Sequence, residues 1–185
     1  MTVLPYSTDH VKEAQDVLEL ANRLGAATIA HDFSGAGNVR ETLLVHSGWP
    51  YERLVPITLT RTNGMKGIMY YNDPKDTNVR HSWTLDKGRS LVLTCTLIKS
   101  CGILFGQYES NKEHVEHFLA LMEHYVERPV GGPVFAVHRV PGKPDDVAHA
   151  VNFAVTTLFQ MNDNWPNIAN QFMGKYNLPL TEDQL

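Results

Sequence analysis

The stretch Arg53–Tyr70, RLVPITLTRTNGMKGIMY, decides how the fold is read. Val55, Ile57 and Leu59 alternate with Pro56, Thr58 and Thr60, the period-two pattern of a half-buried strand. Asn63-Gly64 is a strong hairpin signal, because both central residues of a type I′ turn need positive φ. A two-residue loop there pairs Leu59 with Ile68 and Ile57 with Tyr70, and the apolar faces of both strands then coincide. Pro56 has no N–H to donate, so this hairpin is expected to start at a sheet edge or lie along it.

Working outward, the next segment reads the same way. Val79, His81, Trp83 and Leu85 share one face, and Leu91, Leu93, Cys95 and Leu97 another. A loop Asp86-Lys87-Gly88 pairs Trp83 with Leu91 and His81 with Leu93. Weaker strand patterns over Thr42–His46 and Ile103–Tyr108 extend this to a β-meander over about 41–108. Helical spacing of Val11, Ala14, Val17, Leu18, Ala21 and Leu24 predicts a helix over about 8–24, capped by Ser7 or Thr8 and ended by Gly25. A second helix is expected over about 112–128, a strand over about 133–140, and C-terminal helices over about 145–176, the first opened by Pro144, Asp145 and Asp146. The expected architecture is a single globular α+β domain spanning 1–185. It has a curved, meander-like antiparallel sheet of about five or six strands, with helices packed on one face.

Composition narrows the function classes. With 185 residues, 43% hydrophobic and 19% charged, the chain can close one core without staples. A formal charge of −4 and scattered arginines argue against a nucleic-acid partner. No signal-like N-terminus and no apolar run long enough to span a bilayer is present, so no membrane partner and a cytoplasmic location are expected. Cys95 and Cys101 are then expected to be two reduced thiols.

The segment most suggestive of chemistry is Glu113–Arg128, EHVEHFLALMEHYVER. On a helix, Val115, Phe118, Leu119, Met122, Tyr125 and Val126 gather into a buried stripe. His117 and His124 fall opposite that stripe, two turns apart, too far for one ion to bridge. No metal site is therefore assigned, and no cofactor is specified. His81 is a better candidate, because a titratable ring on an apolar strand face needs a partner or a role. The segment His31–Arg40 joins a His31/Asp32 pair to a Gly-rich turn and Arg40, an arrangement able to meet an anion.

The function expected from these residues is small-molecule binding with acid–base chemistry of lyase, isomerase or hydrolase type in a sheet–helix cavity. His81 would be the buried acid or base, and His31, Asp32 and Arg40 would close the mouth on an anionic group. Tyr70, Trp83 and Phe105 would form walls, with His138 a further ligand-binding candidate. The alternatives are a non-catalytic binding or assembly subunit, with homo-oligomeric contacts, or a flavin- or haem-binding domain.

Overall fold

Asp9 starts the first helix. Its carboxylate accepts the N–H groups of Val11 at 3.0 Å and Lys12 at 3.1 Å, so helix α1 (His10–Arg23) begins just after the expected caps Ser7 and Thr8. The computed structural model describes residue 4 and residues 7–60, 67–72, 82–126 and 134–162.

A β–α–β unit follows: strand β1 (Ile29–Asp32), helix α2 (Gly37–His46) and strand β2 (Leu54–Thr60). Strand β1 pairs with β2 in parallel, from Ile29↔Leu54 to Asp32↔Ile57. Strands β3 (Met69–Asn72) and β4 (Ser82–Asp86) complete a sheet of order β1-β2-β4-β3. Strand β4 is parallel to β2 and antiparallel to β3. The sheet is mixed, which corrects the expected antiparallel meander.

The hairpin register changes with it. Strand β4 lies between β2 and β3, so Leu59 faces Leu85, and Leu85 in turn faces Met69. This insertion leaves Ile57 and Leu85 with no solvent exposure at all. Burial of that completeness is worth about 1.5–3 kcal/mol per side chain, which outweighs what a local turn contributes. The Asn63-Gly64 turn lies outside the described residues. Pro56 sits in an interior strand, but the ladder to β4 begins only at Ile57, so its missing N–H falls before that ladder.

Downstream, Asp86 is not in a hairpin loop. Its carboxylate accepts the Arg89 N–H at 2.9 Å and caps helix α3 (Lys87–Lys99), which occupies the stretch expected as a strand. Thr42–His46 belongs to α2 rather than a strand, and Ile103–Gln107 leads into helix α4 (Tyr108–Leu119) without forming one. The Glu113–Arg128 segment is split. Helix α4 stops at Leu119, and strand β5 (Leu121–Val126) pairs antiparallel with strand β6 (Val134–Arg139) in a separate ribbon. Leu119 is 73% exposed and Met122 47% exposed, so the continuous buried stripe is not formed. Helix α5 (Asp146–Met161) is where the sequence placed it, while the expected helix near Trp165–Tyr176 lies outside the described residues.

Helices cover both faces of the mixed sheet, not one. Ala14, Leu18 and Ala21 of α1 and Leu44 of α2 pack with Trp49, Leu54 and Ile29. On the other face, Leu93 and Leu97 of α3 and Phe153 and Phe159 of α5 pack on Ala30, Val55, Ile57, Leu59, Trp83 and Leu85. This is why β2 and β4 are apolar enough to be parallel and buried. No helix among the described residues is long and apolar enough to cross a membrane.

Candidate functional site

In an open sheet with parallel strands, the carboxyl ends of those strands are the usual place for a ligand. Here that edge carries Asp32 at the end of β1, Thr60 at the end of β2 and Asp86 at the end of β4. Period-two alternation sorts the side chains between the two faces. Ile29 belongs to the α1/α2 core and Ala30 to the α3/α5 core, so His31 is directed toward α2 and Asp32 toward the side of α3 and α5. The His31/Asp32 pair is thereby divided between two faces.

His31 meets Glu41. Its Nε2 is 3.1 Å from the Glu41 carboxylate, and only 13% and 8% of the two side chains is exposed. This pair ties α2 to β1. Asp32 is exposed, and its Oδ1 accepts the Ser34 N–H at 2.8 Å in a short Asx turn. Gly35 then adopts φ +60°, and Gly37 opens α2 with its Cα packed against the Asp32 carbonyl; a Cβ there would be 2.2 Å from that oxygen. The Gly-rich turn is thus required by a tight strand-to-helix return. Arg40 is turned toward α1, with Nε 3.6 Å from the Glu13 carboxylate.

Helix α5 brings further acids to the same edge. At its far end Thr28, just before β1, donates to the Met161 sulfur at 3.8 Å. Along its length Asn152 bonds Ser90 and Thr94 of α3. At its start His149 feels the charge of Lys87, the first residue of α3. Helices α3 and α5 therefore run side by side in the same direction, back along the strands, and both begin at the carboxyl edge. So does α2. Asp145 and Asp146 stand at the head of α5.

Asp145 is buried and engaged. One oxygen is 3.2 Å from His149 Nε2 and the other 3.5 Å from an Arg139 guanidinium nitrogen. Burial pushes the His149 pKa down, Lys87 pushes it further, and Asp145 opposes both. The Nδ1 atom of His149 is buried without a hydrogen-bond partner. Asp146 is exposed. His117, expected to face away from the core, is instead half-buried, and its Nδ1 accepts the Val147 N–H at 3.2 Å.

The other sequence candidates are dispersed. His81 lies outside the described residues. Trp83 pairs with Tyr71, their rings 4.9 Å apart, whereas Tyr70 pairs with Thr84 and so lies on the opposite face. Phe105 packs on Phe118 of α4 at 5.5 Å. His138 is half-buried on β6, its ring 5.9 Å from that of His124. Sequence reasoning passed over Asp145, Asp146 and His149. The run Pro144-Asp145-Asp146 carries a sequence signal of its own, but only that of a helix start. Among the described residues no three His, Cys, Asp or Glu side chains form a ready-made metal cluster. Comparison with protein-family models, with curated proteins and with solved structures finds no match to this chain.

Proposed function

We propose that the carboxyl edge binds a divalent cation for phosphoryl transfer, and that the protein is a hydrolase of phosphodiesters in a nucleic acid. What supports this is that Asp32 closes β1 and the Asp145–Asp146 pair opens α5, both toward the carboxyl ends of the parallel strands, where α2 and α3 also begin. A hard cation such as Mg²⁺ takes oxygen ligands. It is commonly held by one or two carboxylates plus substrate phosphate oxygens, so it needs no preassembled protein cage. Helix N-termini favour negative charge, which suits the phosphate.

Such a cation supplies charge neutralisation and a water of lowered pKa. In such a hydrolysis the oxygen of an attacking water would bond to phosphorus as the bond to the leaving ester oxygen broke, the water giving up a proton and the leaving oxygen taking one up. Asp32 and Asp146 offer exposed carboxylates, and Asp145 a carboxylate held by His149 and Arg139.

Among the described residues Asp32, Ser34, Gly35 and Ala36, after β1, and Asp146, at the head of α5, are exposed. A small ligand calls for a concave enclosure. An open edge suits a polymer that brings its own extended backbone. The expectation against nucleic acid rested on a net charge of −4, and a bound cation reverses that premise locally.

Cleavage of single- and double-stranded DNA and RNA with Mg²⁺ or Mn²⁺ tests the reading. Cleavage should require the metal. Asp32→Asn and Asp145→Asn, checked for folding by circular dichroism, should lose more than the roughly 10–100-fold typical of an outer-shell change. Turnover of small substrates that survives EDTA would return the argument to metal-free acid–base chemistry. An absence of both metal binding and turnover would leave a non-catalytic binding subunit.

A further inference from the structure

The ribbon of β5 and β6 brings together two histidines that lie far apart in the sequence. On strand β5 His124 meets His138 of β6, with the ring centres 5.9 Å apart. Met122 stands directly opposite His138 and shares its face with His124, two residues further along β5. That face is the outer one. Val137 is buried, and the charge of Glu123, opposite it, is felt at Cys95 of α3, so the other face of the ribbon lies against α3. Met122 and His124 are exposed and His138 is half-buried. Neither imidazole makes a hydrogen bond or ion pair among the described residues, so their nitrogens are uncommitted.

The separation decides what the pair can hold. An ion about 2.0 Å from a nitrogen of each ring puts the ring centres roughly 5 Å apart at a tetrahedral angle and roughly 6 Å apart when nearly linear. The observed 5.9 Å fits the wider angle. Each ring centre lies close to its Cβ–Cγ axis, so rotation about χ2 re-aims the nitrogens and keeps that spacing. A structural Zn²⁺ wants a tetrahedral set, and among the described residues no three His, Cys, Asp or Glu side chains supply one. Monovalent copper accepts fewer ligands, and soft sulfur donors select it.

We infer that His124, His138 and Met122 form a Cu⁺-binding site on the outer face of the ribbon. The two imidazoles are the principal ligands and the Met122 sulfur is the third. The site is independent of the function proposed for the carboxyl edge.

The experiment is anaerobic titration with Cu⁺ against bicinchoninate, on the full chain carrying Cys95→Ala and Cys101→Ser so that no thiol competes. Stoichiometric binding is expected. His124→Ala, at an exposed position, should lose more than the roughly 10–100-fold typical of an outer-shell change. His138→Ala should lose as much, and Met122→Leu, which keeps the size and removes the sulfur, should lose less. Urea midpoints of the variants separate loss of a ligand from loss of the fold, and His124→Ala carries the test if His138→Ala unfolds. Unchanged affinity in a folded histidine variant overturns the site. Unchanged affinity in Met122→Leu removes the third ligand, and Zn²⁺ binding as tightly as Cu⁺ removes the choice of ion.

Discussion

Thr94 donates a hydrogen bond to the Asn152 carboxamide oxygen at 2.9 Å, in a seam between α3 and α5 where neither residue has any solvent exposure. The Asn152 amide donates in turn to Ser90 at 3.0 Å, another residue with no exposure. These bonds hold the two helices in the register that brings both of their heads to the carboxyl edge. Asn152→Leu leaves the Thr94 and Ser90 hydroxyls short of a partner and inserts a branched chain in place of a planar one. A loss of about 2–4 kcal/mol is expected, read as a lower urea midpoint with unchanged slope.

Gly37→Ala should be among the most damaging single-methyl changes in the protein. The added Cβ would stand 2.2 Å from the Asp32 carbonyl oxygen, which is backbone and cannot rotate aside. Either β1 and α2 separate or the chain is strained, at roughly 1–3 kcal/mol or more. Gly106→Ala serves as the control, since its nearest contact is the Asn111 side chain at 3.4 Å. Chemical denaturation of the two variants should separate them clearly.

Acid should destabilise the protein partly through His149. Its pKa in the folded chain lies below the ordinary histidine value, mainly because of burial and secondarily because of Lys87. As pH falls, the unfolded chain therefore takes up this proton first. The stability contribution is complete above about pH 6.5 and is lost as pH drops through the depressed folded value. His149→Gln should flatten the urea midpoint between neutral and mildly acidic pH. A slope identical to wild type would assign the acid sensitivity elsewhere.

The end of α3 offers a stabilising change. The Gly102 N–H bonds the Leu97 carbonyl at 2.8 Å and the Cys101 N–H bonds that of Ile98 at 3.1 Å, the paired bonds of a Schellman motif. Cys101 fills its left-handed position at φ +59°, where glycine carries no steric penalty. Cys101→Gly should raise stability by about 0.5–1 kcal/mol. It should also remove the fast thiol in a native-state thiol titration, because Cys101 is exposed whereas burial raises the Cys95 pKa and slows its reaction.

Helix α3 shows why part of the fold is not legible in the sequence. Leu91, Leu93, Cys95 and Leu97 alternate as a strand would, and the pattern hides Ser90 and Thr94, one helical turn apart, which form the polar seam to Asn152. A buried polar stripe has no hydrophobic signal, so only its distant partner reveals it. Strand β5 is hidden for a related reason. Its residues suit a helix locally, and the ladder to β6 overrides that preference. The site was legible in fragments. Asp32 and the Gly-rich turn were singled out, but Asp145, more than a hundred residues away, had no visible link to them.

By itself the sequence determined what depends on neighbours within a turn or two: α1 with its apolar stripe, strand β6, the head of α5 at Asp145 and Asp146, and the tight turn after Asp32. Capping, periodicity and turn chemistry are local, so a single chain displays them. Only the tertiary structure decided that β4 would lie beside β2, that helices would cover both faces, and that α5 would pack alongside α3 through Asn152. Those outcomes come from burying Ile57, Leu85 and Phe153 together, a non-local gain that outweighed a direct pairing of β2 with β3.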